Sequence, residues 1–462
     1  MDRTTELLAS YSCGLTYENL SPQTVHQVKR TMVDTLGCAA GGYLSEPAKI
    51  ARGLAGGISS VLPSRILGTG DYTSPDMAGF ANGVMIRYLD CNDSYFSPGG
   101  GHPSDMIPAV MALADPLGGD GRDVITAIVL AYEVFGRLSD QVLAGEKGWD
   151  QGMFSVIGAT CAAGKVLGLN QERMGHAISL AVAPNLPLGV TRSGELSMWK
   201  GCATASATRA AIFAAQLAEQ GMTGPFEPFE GRRGLWAQAV GREVEISEFP
   251  ALTGNGDGGG GDDNAFRILN TTFKSYPSQI HTQAPIGLAL ELQPKVDPRE
   301  IESIRIRAYR GGVSSPATEP EKWDPKTRET ADHSIPYLVA VAFLDGAVTP
   351  ASFTEQRISD PALRPLISKI TITEDLEFTR RFPGEYNCYM EVVDRGGHTH
   401  VAETTYPKGH RFNPLDDSEV EAKFRRLSAD VLTSGQCDQA LQLIWSLEDL
   451  PGLDDLFDTL AV

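Results

Sequence analysis

The sequence predicts a mainly α protein in which both ends of the chain build one large all-helical domain, and a smaller α/β lid domain is inserted between them. Three observations carry this. Apolar residues recur at helical spacing through roughly the first 250 residues, the period then switches to strand-like alternation, and helical spacing returns after Pro414. The implied division is 1–265 for the first helical part, 266–408 for the lid and 409–462 for the returning helices. A chain of 462 residues is too long for one small core, and length alone suggests roughly two to four domains.

Taken in order, the opening MDRTTELLASYS lacks a basic segment followed by an apolar one, so no secretory signal is expected. Ser21-Pro22 reads as a cap and first helical residue, with Val25, Val28, Met32 and Leu36 following at helical spacing. From Val124 to Leu138 apolar residues occupy nearly every face, the mark of a helix buried among helices. Phe154–Leu167 and Ala203–Gln220 repeat the style with many alanines, and Gly168 and Gly221 stand where helices should stop. The run TGNGDGGGGDD, Thr253–Asp263, reads as an exposed loop, because its aspartates would repel a phosphate and no G-K-[ST] follows.

Beyond it Ile304, Ile306 and Ala308 alternate, as do Ile370 and Ile372, and then Tyr386, Cys388, Met390 and Val392, which predicts strands. Asp394–Gly397 has turn chemistry, and His398–Thr405 can return as the second arm of a hairpin. A helix is expected from Ile335 to Phe343 after Asp332-His333-Ser334, and short helices after Pro414 should rejoin the large domain.

Composition excludes several functions. Hydrophobic content of 42% and charged content of 21% are those of a water-soluble globular protein. The net charge of −19 argues against nucleic acid or an anionic membrane as the main partner, so any anionic substrate needs a local cluster of Lys, Arg and His. The richest apolar run, Ser179–Val190, is broken by Pro184 and Pro187, so no membrane span is expected. Seven scattered cysteines without a C-x-x-C fit reduced thiols, hence a cytoplasmic protein without a zinc site or disulfide frame. His398-x-His400 places two rings on one side of a strand, but no third ligand is suggested, and no metal or cofactor is expected.

The chemistry is expected to centre on Asp90–Asp105, DCNDSYFSPGGGHPSD, which packs carboxylates, hydroxyls and a histidine together. Pro103 steers His102 away from helical angles, and Ser104-Asp105 can start a helix before Met106, Ile107, Val110 and Met111. His102 should therefore lie on a turn at a helix N-terminus, whose free N–H groups could hold an anion beside an acid–base histidine. The plainer reading is an ordinary loop with a helix cap.

Six ordered segments decide between them. RYLDCNDSYFSPGGGHPSD, GWDQGMFSVIGATCAAGKVLGL, GELSMWKGCATASATRAAIFAAQLAEQGMTGP, FKSYPSQIHTQ, ETADHSIPYLVAVAFLDG and YPKGHRFNP together resemble the signatures of the 2-methylcitrate dehydratase/cis-aconitate decarboxylase family, also called MmgE/PrpD. The resemblance runs from about residue 87 to 414. It implies a metal-free enzyme acting on small di- and tricarboxylates, usually a homodimer, with a site between a helical domain and an α/β lid.

The resemblance places pocket residues at Asp90, Ser94, His102, Lys200, Lys274, His281 and Tyr337. On this reading His102 is the principal acid–base group, and Asp90 orients it or a neighbouring donor. Lys200 and Lys274 bind carboxylates, Ser94 and Tyr337 donate hydrogen bonds, and His281 binds or relays a proton. His333 either caps the Ile335 helix or joins the pocket, and Asp150 and Gln151 join the substrate-binding set. The residue types suit the chemistry: abstracting a proton beside a carboxylate needs a base and fixed positive charge, and expelling hydroxide needs an acid.

At one place the chain departs from the decarboxylase pattern. Where the decarboxylase has a histidine after its glycine-aromatic pair, Gly148-Trp149 here precedes Asp150 and Gln151. The leading expectation is thus a hydro-lyase dehydrating 2-methylcitrate, citrate or a relative. A decarboxylase or epimerase of a related acid, and a non-catalytic polycarboxylate-binding or scaffold protein, are the alternatives.

Overall fold

Helices dominate because the sequence supplies caps at their starts and apolar stripes along them. The structure, a computed structural model, describes residues 1–252 and 266–462. The glycine-rich run expected to be a loop, Thr253–Asp263, lies outside the described residues. The first half contains α1 (Arg3–Gly14), α2 (Pro22–Gly42), α3 (Glu46–Ala55), α4 (Pro75–Tyr88), α5 (Ile107–Leu117), α6 (Gly121–Gln141), α7 (Gly152–Val166), α8 (Gln171–Val182) and α9 (Ala203–Glu219). Ser21 Oγ accepts from the Thr24 amide at 3.1 Å, so α2 begins at the cap expected for it. Gly168 and Gly221, just beyond α7 and α9, both have positive φ.

Helix α6 is buried on every face from Val124 to Ser139, and within it Arg137 pairs with Glu133 at 2.6 Å. Helix α7 packs against α6, α8 and α9. Small residues make this possible: a Cβ at Gly158 would lie 2.8 Å from the Ala131 carbonyl oxygen of α6, so only glycine lets the two backbones approach. The resulting core runs from Leu8 to Phe273 and resumes from Leu415 to Leu460. It includes Phe266, Ile268 and Phe273, so those residues pack with the larger lobe.

A second, separate core runs from Ala284 to Ala402. It lies between α10 (Gln283–Leu292), α12 (Ile335–Asp345) and a four-stranded sheet of order β2-β1-β3-β4; α11 (Arg310–Thr318) follows β1. The strands are β1 (Ile301–Ala308), β2 (Ile370–Glu374), β3 (Cys388–Asp394) and β4 (Thr399–Thr404). β1 is parallel to β2, with Ile304 opposite Ile370, and antiparallel to β3, with Ile306 opposite Met390. The inward residues Ile304, Ile306, Met390 and Val392 are the alternating apolar positions of the sequence. β3 and β4 form the expected hairpin, with the Asp394 amide donating to the His398 carbonyl.

The chain then returns through α13 (Asp417–Ser428) and α14 (Ser434–Trp445) to pack on α2. Buried Lys423 of α13 donates to Asp34 of α2 at 2.5 Å and to the Cys91 carbonyl at 2.6 Å, tying the C-terminal helices to the loop after α4. Among the described residues no helix is long and apolar enough to cross a membrane, and all seven cysteines are free thiols.

Candidate active site

Between the two cores lies a cleft of about 760 Å³, whose walls include Arg87, Asp90, Ser94, His102, Asp150, Gln151, Arg192, His281 and His333. Its floor is organised by Asp90, just past the end of α4. Asp90 has φ +52°, alone among the described non-glycine residues in having positive φ. Aspartate tolerates that region better than most residues, and strain of this kind persists where the surroundings over-determine it.

The surroundings are cationic. Arg87 Nη1 reaches Asp90 Oδ1 at 2.6 Å, Lys274 Nζ reaches the same oxygen at 2.5 Å, and Lys200 Nζ reaches Oδ2 at 3.0 Å. Burial opposes ionisation of Asp90, but Arg87, Lys200 and Lys274 overcome it and hold the carboxyl well below the usual range. Asp90 in return raises Lys274, but burial is the larger influence and pulls it down to about 8.

His102 precedes a single 3₁₀ turn, Pro103–Met106, and only then does α5 begin. Its Nδ1 lies 2.7 Å from the Asp93 carbonyl and 3.1 Å from Ser94 Oγ. A carbonyl only accepts, so the proton is assigned to Nδ1, and Nε2 is left as a lone pair 3.8 Å from Asp90 Oδ1. Burial, then Arg87 and Lys274, push His102 well below 6.5, so the ring is neutral at neutral pH. The helix-terminus anion site expected here is corrected by the structure. The Ser104 amide donates to Asp93 Oδ1, the Asp105 amide to the His102 carbonyl, and the Gly99 amide to the Ser139 carbonyl. Positive charge comes from side chains instead.

The smaller lobe contributes Asp332, His333, His281 and Tyr309. Asp332 accepts from Lys200 at 2.7 Å, from Arg328 at 3.1 Å and from His333 Nδ1 at 2.5 Å. His333 Nε2 lies 3.8 Å from Asp90 Oδ2, and burial followed by Lys200 lowers the ring to about 4. Ser334, not His333, caps α12, its hydroxyl accepting from the Tyr337 amide at 3.1 Å. That settles the choice left open for His333: it joins the cleft. His281 Nδ1 is hydrogen-bonded to the buried Tyr309 hydroxyl. That hydroxyl has no other acceptor among the described residues, so it donates, and the His281 proton is assigned to Nε2. Burial, then Lys274, lowers His281 to about 4.

The structure corrects three further expectations. Tyr337 is not in the cleft: it is fully buried in the smaller lobe's core beside Phe353, and its hydroxyl donates to the Ser352 carbonyl. His333 precedes α12 and faces the cleft, whereas Tyr337 lies within the helix and turns into the core. Lys200 and Lys274 are 1% and 0% exposed and are held by carboxylates, so they lie behind the floor and are not free ligands for a substrate. Asp150 is likewise engaged by Arg192, at 2.7 Å. Gln151 does line the cleft, and Gly101 packs on it: a Cβ there would fall 2.1 Å from Gln151 Oε1.

Sequence reasoning missed Arg87, Arg192, Tyr309 and Asp332. Arg87 carried a signal, an arginine in the apolar run of α4 three residues before an aspartate, and Asp332 sat unremarked beside His333. Atoms of Asp90, Asp332 and His333 approach within 4.8 Å, a spacing that could hold a metal ion. Lys200 Nζ, however, stands against both carboxylates, at 3.0 and 2.7 Å, where such an ion would need to bind. His398 and His400 converge on Asp394, at 3.1 and 3.4 Å, on the smaller lobe's hairpin.

The fold thus pairs a helical lobe with an α/β lobe over a cleft of imidazoles, carboxylates and buried cations. Comparison with known proteins agrees. The MmgE/PrpD N-terminal domain matches residues 6–247 and the MmgE/PrpD C-terminal domain residues 276–449, and the chain belongs to this family. It is 27% identical over 390 residues to a 2-methylcitrate dehydratase of Escherichia coli, covering 79% of this chain and 76% of the relative. It is 26% identical over 468 residues to the human cis-aconitate decarboxylase, covering 96% and 92%. A mitochondrial 2-methylcitrate dehydratase of Yarrowia lipolytica is 25% identical over 464 residues, covering 95% and 86%.

Proposed function

We propose that the protein is a hydro-lyase that removes water from a small tricarboxylate such as 2-methylcitrate or citrate, using side-chain acid–base chemistry without a metal. The observation that carries the reading is the Asp90 hub, where Arg87, Lys200 and Lys274 surround one carboxylate on a floor flanked by His102 and His333. These cations are paired with Asp90, Asp332 and Asp105, so they act on the cleft as a fixed, buried field rather than as direct ligands of a substrate.

His102 Nε2 is the base. It takes the proton on the carbon beside a substrate carboxylate, and that C–H electron pair becomes the enolate-like dianion. Arg87, Lys200 and Lys274 stabilise this charge through the low-dielectric floor, without the reorganisation that water would require. The pair then forms the C=C bond as the β C–O bond breaks. His281 donates a hydrogen bond from Nε2 to the departing oxygen, the role of a neutral imidazole electrophile. The proton held by His102 leaves with the hydroxyl as water, and the enzyme is regenerated. Asp90 stays ionised and positions the cations, and Ser94 supports the His102 ring.

Asp150 and Gln151, standing where the decarboxylase pattern has a histidine after its glycine-aromatic pair, favour dehydration over decarboxylation of cis-aconitate. A homodimer and a cytoplasmic location complete the proposal, the latter supported by seven free thiols. The test is a panel of tri- and dicarboxylates followed by the ultraviolet absorbance of a new carboxylate-conjugated double bond. Dehydration creates that signal and epimerisation does not. Activity lost to chelator and restored by a divalent ion would overturn the metal-free claim.

A further inference from the structure

With Lys200 and Lys274 hidden behind the floor, some other cation must meet a carboxylate that enters the cleft. Among the described residues two guanidinium groups line it, those of Arg87 and Arg192. Arg87 is 1% exposed and engaged by Asp90 and by Asp105, the latter at 3.6 Å. Arg192 is different: its side chain is 23% exposed, and Asp150 holds it from one side only, through Nε at 2.7 Å and Nη2 at 3.4 Å. Its Nη1 has no acceptor among the described residues.

The mounting is rigid. Two loops, 143–151 and 187–193, are zipped together: the Asp150 amide donates to the Pro187 carbonyl at 2.8 Å, the Gly189 amide to the Gly148 carbonyl at 2.7 Å, and Trp149 bridges to Leu188. Asp150 is almost fully buried and its Oδ1 also accepts from the Gly152 amide at 3.0 Å, at the start of α7. A carboxylate fixed at a helix start, gripping one edge of a guanidinium, leaves the other edge in a set orientation. The charge also reaches inward, since Arg192 is among the cations that counter the effect of burial on Asp105, behind Arg87.

We propose that Arg192, presented by Asp150, binds the substrate carboxylate remote from the carbon that His102 deprotonates, and so selects tricarboxylates over shorter acids. This rests on the hydro-lyase reading and specifies its substrate class. Arg192 is then a specificity residue and Asp150 a positioning residue acting through it.

The test compares wild type, R192Q and D150N on the best tricarboxylate of the panel, and on its analogue carrying a primary carboxamide in place of the remote carboxylate. R192Q should lower kcat/KM by about 10- to 100-fold, mainly through KM, the range expected for one lost charge-assisted contact. The carboxamide should cost wild type a similar factor and cost R192Q almost nothing. D150N should raise KM less than R192Q does, and guanidinium ion should partly restore R192A. An unchanged KM in R192Q with a native melting curve, or carboxamide and mutation losses that multiply, would overturn the assignment. If wild type dehydrates no acid in the panel the hydro-lyase reading falls, and calorimetric binding of citrate then decides Arg192 alone. Tighter binding to wild type than to R192Q upholds it, and equal or undetectable binding refutes it.

Discussion

Replacing Asp90 by asparagine keeps the side chain's size but removes its charge and turns one acceptor oxygen into an N–H donor facing a buried cation. Asparagine has the same shape and tolerates the positive φ of +52° at this position, so neither a cavity nor new backbone strain is introduced. Three buried cations, however, lose the carboxylate they approach at 2.5 to 3.0 Å. At an effective dielectric of about 20, each contact is worth about 5–7 kcal/mol before desolvation is counted. Most of that is offset by taking the ions out of water, and removing one partner of a buried pair leaves a net cost of about 3–5 kcal/mol.

Equilibrium urea unfolding followed by tryptophan fluorescence should therefore find D90N less stable by that amount at pH 7. The pH dependence gives a second check. The Asp90 carboxyl titrates well below the ordinary aspartate value of 3.8 in the folded protein, so its contribution is fully present above that value and is lost as pH falls toward the folded-state pKa. The gap between wild type and D90N should close as the solution is acidified below pH 4. A loss under about 1 kcal/mol, or a gap that stays constant from pH 7 to 3, would refute the picture of an ionised hub.

Other predictions concern single residues. H102Q should abolish turnover, and the wild-type kcat/KM should hold from neutral pH down past the ordinary histidine value of 6.5 before falling, because the base is active only when unprotonated and its pKa is depressed. An acid limb centred above 6.5 would contradict the assigned environment. Y337F should cost about 1 kcal/mol of stability while leaving kcat intact, whereas Y309F should lower kcat with little effect on melting, since it frees His281 to change tautomer. The reverse pattern would put Tyr337 back in the site. K200A should expose Asp90, Asp332 and His333 to each other, and millimolar zinc or manganese should then raise its melting temperature but not that of wild type. Equal shifts in both proteins would mean the ammonium does not guard that position.

Much of the fold could be read from local rules. Ser21 before Pro22 marked the start of α2, and the alternation of Ile304, Ile306 and Ala308 marked β1, because caps and burial faces are properties of neighbouring residues. The site is another matter. Asp90 and Lys274 are 184 positions apart, and no spacing rule brings them to 2.5 Å; family resemblance supplied the pair. It also misplaced Tyr337, because resemblance gives positions in a motif and not the direction a helix turns them. Tyr309 gave only the weak signal of an aromatic at a strand end before Gly311-Gly312. Whether a backbone amide is free depends on tertiary partners such as Asp93, which occupies the Ser104 amide and which no local pattern announces.

The contact between Lys200 and Asp332 joins residues on either side of the seam between the two cores, and Arg328 adds a bond to the Tyr88 carbonyl at 3.0 Å across the same seam. The ammonium that tunes the reacting floor is thus also a rivet. Prising the halves apart would separate these buried charge pairs at a cost, so the seam resists opening. A substitution that loosens the joint should therefore slow the chemistry in the same stroke, because one ammonium serves both.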